Sequence, residues 1–213
     1  MESDFISTKM AYILNDSTVF GIEQLNPFYI YYLSAGRSIF STNSSAIRWA
    51  KSKGLMNESF MQEVACCETL DTLIYLHEKG VPWNYRTTAG AASNGRLDTL
   101  KYLHENGCPW NDWTCEFAAR EGHLDCLKYA HEEGCSWGAW TCLVAARHGH
   151  LDCLIYVHEN GCPWSIYTCQ AAASNGHLDC LKYAHEEDCP LDAGTCSAAA
   201  MNGHPPASCR LIV

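Results

Sequence analysis

No stretch of this 213-residue chain is apolar for long enough to cross a bilayer. The run from Phe28 to Leu33 falls far short of the roughly 20 residues that a spanning helix needs. The start, MESDFISTKMAYILND, lacks the basic-then-apolar layout of a secretory signal. Charge is sparse, at 18% of residues, and positive charge sparser still. With 14 Lys and Arg against 24 Asp and Glu, a net charge of −10 argues against a nucleic-acid backbone or an anionic membrane as partner. There is no CxxC pair to anchor a metal, and no set of nucleophile, base and orienting group. The expectation is a protein without catalysis, cofactor, metal or small-molecule substrate. What the chain does have is 47% hydrophobic residues, enough for a continuous core, and 14 cysteines. Without an export signal those cysteines read as thiols in a reducing compartment, cytoplasmic or nuclear.

The dominant feature is a stretch written several times over. Its cleanest copy is GHLDCLKYAHEEGCSWGAWTCLVAARH, from Gly122 to His148. Gly95, Gly122, Gly149, Gly176 and Gly203 are each 27 residues apart, and a looser copy opens at Glu68. Self-similarity at a fixed period of this size marks a solenoid, in which each unit touches only its neighbours. In LDCLKYAHEEG, Leu124, Leu127, Ala130 and His131 fall on one helical face, with Asp125, Lys128 and Glu132 on the other. Gly134 is placed to end that helix, as are Gly80, Gly107 and Gly161, while Asp188 stands there in the last copy. A polar turn and a second, shorter helix such as TCEFAARE follow, where Cys115, Ala118 and Ala119 share a face. Each unit is thus a pair of antiparallel helices with no room for a strand of any length.

The period divides the chain into residues 1–40, a helical cap or small non-repeat region; 41–67, a degenerate repeat; 68–202, five regular repeats; and 203–213, a truncated repeat or tail. In the tail, Pro205-Pro206 interrupts the helix that Gly203-His204 would open. The chain is expected to be monomeric unless that incomplete apolar end docks.

The unit resembles an ankyrin repeat, through the residues Ala118 to Cys135, AARxGHLDCLKYAHEEGC in pattern. On that alignment Cys135 takes the place of an alanine, and Cys126-Leu127 that of paired valines. The family's period is about 33 residues, so about six are missing here between Trp137 and Thr141, where a projecting β-hairpin would lie. The units are similar to the short-loop ankyrin arrays of algae, oomycetes and giant viruses. The resemblance implies an all-α solenoid of stacked helix pairs, with fingers shortened or absent, that binds a protein partner through its concave face.

On the shorter helix the copies disagree at positions pointing away from the core: Trp113, Phe117 and Arg120; then Trp140, Val144 and Arg147; then Tyr167, Ala171 and Ser174. By the resemblance these line the groove, and Trp113, Phe117, Arg120, Trp140, Val144, Arg147, Tyr167 and Ser174 are the candidate contacts. Aromatic and arginine side chains suit such a role because they dominate interface energetics. The repeated Trp83, Trp110, Trp137 and Trp164 are instead expected to pack between units. The histidines at 77, 104, 131, 158 and 185 are expected half-buried, each bonded to a neighbouring turn. Two other readings stand beside this one. Leu25 to Phe40 resembles the end of an F-box, with Leu33, Arg37 and Phe40 matching, which would make the chain a ubiquitin-ligase adaptor. The recurrent His-x3-Cys would suit a zinc or thiol-redox protein.

Overall fold

Leucine or alanine at every third or fourth position of LDxLxYxHE leaves one stripe to bury, and a nine-residue helix cannot bury it alone. The computed structural model describes residues 54, 56–67, 69–190, 194–195 and 201, and shows how the stripes are shared. Among these residues there are ten helices and no strand: α1 Glu58–Cys67, α2 Leu70–Glu78, α3 Tyr85–Ser93, α4 Leu97–Glu105, α5 Asp112–Glu121, α6 Leu124–Glu132, α7 Ala139–His148, α8 Leu151–Glu159, α9 Ile166–Ser174 and α10 Leu178–Glu186. The odd-numbered helices stack in one row and the even-numbered in another, and each odd helix packs against the even helix that follows it. The expected F-box segment and the divisions 1–40 and 203–213 lie outside the described residues.

The two helices of a unit are equal in length. The second helix, expected to be the shorter, has nine or ten residues against nine for its partner. It begins earlier than its apolar pattern does, because Asn84, Asn111 and Gly138 stand at its start in extended backbone, and in α3 the Asn84 and Thr87 side chains close a capping box.

Side-chain size sets the shape of the stack. The facing sides of the odd helices are built from Ala89, Ala91, Ala92, Ala118, Ala119, Ala145, Ala146, Ala172 and Ala173, all buried. Such small residues let backbones approach closely, and the odd row is the more densely packed of the two. Between the even helices stand tryptophan, histidine and tyrosine rings, which hold that row apart. Two rows with one helix each per unit, one close-set and one wide-set, curve toward the close-set row. The odd helices therefore line the concave side. Between the rows lie Leu73, Leu76, Leu100, Leu103, Leu127, Leu154 and Leu181, fully buried, with Phe60, Met61 and Val64 of α1 continuing the core.

The described cysteines are free thiols, and those of the regular units are buried. Cys108, Cys135 and Cys162 donate their S–H to the carbonyls of Asn84, Asn111 and Gly138 at 3.4, 3.1 and 3.2 Å. Each bond joins the turn after an even helix to the start of the preceding unit's odd helix. Buried thiols thus behave as small hydrophobes with one weak donor.

The left-handed stop after each even helix is present as expected, with φ of 77°, 85° and 84° at Gly107, Gly134 and Gly161. Asp188 is forced into the same region at φ 58°. There the closing bond to the His185 carbonyl lengthens to 3.3 Å, against 2.9 Å from Gly134 to His131. An L side chain in this region costs roughly 1–2 kcal/mol. Asp188→Gly is therefore expected to raise stability by about 1 kcal/mol, read as a higher urea midpoint at unchanged slope.

Candidate partner-binding face

The concave side is a set of odd helices lying side by side, each flanked by two others, so only a narrow sector of each reaches solvent. Trp113 on α5 is 40% exposed, and Trp140 on α7 and Tyr167 on α9 are 56% exposed. Exposure of this order is unusual for large rings and falls at one register position in three successive units. Tyr85 of α3 meets Trp113 edge to face at 5.5 Å, Phe117 meets it at 6.1 Å, and the Arg120 guanidinium lies 5.8 Å over the Phe117 ring. Arg120 and Arg147 are exposed, and Phe117 and Ser174 half-buried.

Val144 is placed otherwise than expected. It is only 8% exposed, inside an unbroken buried run from Thr141 to Ala146. A helical wheel drawn for one helix overstates the free arc of α7, which is packed by α5 on one side and α9 on the other. Gln170 and Asn175, which the wheel passed over, line the surface instead, with the buried Leu143 beneath them. They join Trp140, Arg147, Tyr167, Ala171 and Ser174 around a hollow of about 390 Å³ between α7 and α9. A second hollow of about 360 Å³ lies toward α1, lined by Gln62, Cys66, Arg86, Ser93, Trp113 and Phe117 among others.

Charge is uneven along this face. Arg120 pairs with Glu121 at 3.1 Å, whereas Arg147 has no ion pair among the described residues. Neither α7 nor α9 carries a carboxylate. His148 lies below its ordinary pKa, first because it is partly buried and then because Arg120, Arg147 and His150 oppose its charge, with Glu121 acting the other way. Arg147 thus stands as an unpaired cation, among the described residues, at the end of α7 on a chain that is acidic overall.

The opposite, convex side carries a second periodic arrangement. His77, His104, His131 and His158 stack on Trp83, Trp110, Trp137 and Trp164 with ring centroids 3.7, 3.8, 3.7 and 4.2 Å apart. Each pair meets the edge of a tyrosine of the next even helix, and three of the histidines bond its hydroxyl: His77 to Tyr102 at 2.9 Å, His131 to Tyr156 at 3.1 Å and His158 to Tyr183 at 3.0 Å. For these three the partner is therefore a tyrosine of the next unit, whereas His104 lies 3.7 Å from the Glu133 carboxylate in the turn of the next unit. The tryptophans pack between units as expected. Burial, followed by nearby glutamates, holds the four tyrosines above their ordinary pKa. Tyr156→Phe removes one such bond and is expected to cost about 1 kcal/mol in urea unfolding. An unchanged midpoint would show that the ring contacts alone join the units.

Burial lifts four of the thiols, pushing Cys108 and Cys153 up to about 12 and Cys126 and Cys180 up to about 11, whereas hydrogen bonds with Cys115, Cys142 and Cys169 hold Cys135, Cys162 and Cys189 below the ordinary value. Cys115 and Cys142 are raised as well, first by hydrogen bonding to Cys135 and Cys162 and then by burial. Thiols held protonated in this way are poor nucleophiles and poor metal ligands. Among the described residues no three His, Cys, Asp or Glu side chains converge on a point that could hold a metal.

Comparison with known proteins places the architecture. Residues 91–131 match the family model for ankyrin repeats (many copies). The ankyrin repeat domain of human ASB11, known from a crystal structure, superposes with a TM-score of 0.61 over 71% of this chain and 81% of that one, at 20% sequence identity. No curated protein matches the chain. The matched residues run from the buried alanines of α3 to His131 near the end of α6, so this segment is similar to ankyrin repeats, and the described chain shares the fold of an ankyrin-repeat domain.

Proposed function

We propose that this chain is a non-catalytic interaction scaffold that holds a protein partner along its concave, odd-helix face. Ankyrin repeats generally mediate protein–protein interactions, and their fold is typically non-catalytic. The observation that carries the finer reading is the line of exposed rings at Trp113, Trp140 and Tyr167. Rings of that size left in water at equivalent positions gain most from a partner that covers them. Phe117, Arg120, Arg147 and Ser174 complete the contact set, and Val144 serves as support beneath it.

In this reading residues 41–67 begin the stack as a worn unit and 68–202 supply the binding face. No described helix is long and apolar enough to cross a membrane. Free thiols throughout the regular units suit a reducing compartment, and the chain acts as a monomer there.

Because the exposed rings do little for the core, Trp140→Ala is expected to change stability by no more than about 0.5 kcal/mol. The same change should weaken partner capture by tenfold or more, a loss of about 1.4 kcal/mol. Capture measured with purified wild type and variant decides the matter. Equal retention of a partner by both would move the interface off this face.

A further inference from the structure

The hollow between α7 and α9 has a composition that specifies more than a generic protein partner. Its walls are the Trp140 and Tyr167 rings, its floor includes Leu143 and Ala171, and its rim carries the Arg147 guanidinium. Such a site takes one apolar side chain between two rings and offers a charged donor at its edge. We infer that this hollow binds a short peptide segment in which an aliphatic or aromatic residue is followed or preceded by a carboxylate, which pairs with Arg147. The inference rests on the concave-face reading and adds the chemistry of the ligand.

Charge supplies the argument. The chain as a whole is at −10, yet α7 and α9 contribute no carboxylate to the hollow, and Arg147 is unpaired among the described residues. Arg120 is neutralised by Glu121 and His148 is held below its ordinary pKa, so Arg147 is the charge that the hollow presents. A basic segment would meet like charge here. A neutral one would bury a guanidinium without compensation, which costs more than leaving it in water. A carboxylate satisfies it, and the planar fork of arginine matches a carboxylate in two parallel bonds. One guanidinium at one apolar hollow calls for a single acid beside a single anchor. A long acidic tract would be repelled by the rest of the surface.

The probe is a library of random peptides displayed on phage and panned against the full chain, with the selected sequences then synthesised and titrated by fluorescence anisotropy. The expected consensus is one apolar residue with Asp or Glu beside it. Binding should fall about tenfold or more for Trp140→Ala and for Arg147→Glu. Replacing the peptide's acid by Lys should restore binding to Arg147→Glu, which a merely structural role for Arg147 would not produce. Both side chains are exposed, so these variants fold. Peptides that need Trp140 and Tyr167 but carry no acid, or ignore Arg147→Glu, would overturn the ligand chemistry and leave the concave-face reading standing. No enrichment, or binding indifferent to all three residues, would overturn both.

Discussion

Between pH 8 and pH 10 the chain is expected to lose a few kcal/mol of stability, a large part of what a domain of this size possesses. Four buried thiols carry the effect. Cys108 and Cys153 are held up to about 12, and Cys126 and Cys180 up to about 11, against an ordinary value of 9.0, with burial the first cause in each. Thiols are acids, so a raised value means that the folded chain keeps a proton that the unfolded chain gives up. Their contribution is intact below pH 9, declines as the pH rises through 9, and is exhausted near 11 to 12. At pH 10 each thiol accounts for roughly 1 kcal/mol, and the four together for several, while Cys135, Cys162 and Cys189, held below the ordinary value by hydrogen bonds from neighbouring thiols, act in the opposite sense. The tyrosines of the convex ladder, also raised, add to the loss above pH 10. Urea unfolding followed by circular dichroism, in the presence of a phosphine reductant to keep the thiols free, measures this directly. A flat profile to pH 10 would mean that these sulfurs are far better solvated than their burial indicates. Replacing Cys126, Cys153 and Cys180 by alanine should flatten the alkaline limb even as it lowers the plateau.

Gly122→Ala is expected to cost about 3 kcal/mol, as is the equivalent Gly149→Ala, which meets His177 in the same way. Two terms combine there. Gly122 closes α5 in left-handed backbone, at φ 78°, which is strained for alanine by roughly 1–2 kcal/mol. The added Cβ would also overlap the imidazole of His150, a ring belonging to the next unit. Each of these histidines is thrown back onto the preceding unit by its own backbone. His123, at φ −89° and ψ 76°, sits in a tight turn closed by the Leu124 N–H on the Gly122 carbonyl at 3.2 Å. Its ring covers Gly95, where an added Cβ would lie 2.7 Å from Nδ1. Crowding a packed site costs about 1–3 kcal/mol beyond backbone strain. Gly134→Ala provides the control: φ is 85°, but nothing lies within 4 Å of the added carbon. Its cost should be the backbone term alone. If the two alanines destabilise equally, the histidine contact contributes nothing, and His150→Ala in the Gly122→Ala background should then give no recovery.

Much of this arrangement is readable from the residues, and the part that is not has a common cause. The 27-residue period, the helix pairs, the glycine stops and the inward leucines are local, set by spacing within one unit. The tyrosines of the convex ladder went unread because Tyr129 lies beside the apolar stripe of its own helix, and its role depends on how the next unit is set against the last. The same holds for Gly122 and His150, which are 28 residues apart in sequence and in contact in space. Val144 fell on the outer arc of a lone helix and became buried once α7 had two neighbours. Contacts between units require the rotation from one to the next, which a single helical wheel does not contain. Trp113, Trp140 and Tyr167 are exposed because they lie at the middle of the free arc, where the error in its width does not matter.

The histidine that covers a glycine always reaches backward, from a later unit to an earlier one. The array consequently has a head and a tail, with a socket at one end and a plug at the other. Whole units can be spliced in or cut out at this seam, since each new plug finds the same socket that the old one filled. A lengthened chain carrying a second copy of Gly122 to His148 would extend its groove by one ring of the Trp140 kind without disturbing the joints on either side. Reversing a unit would leave two sockets face to face with nothing to fill them.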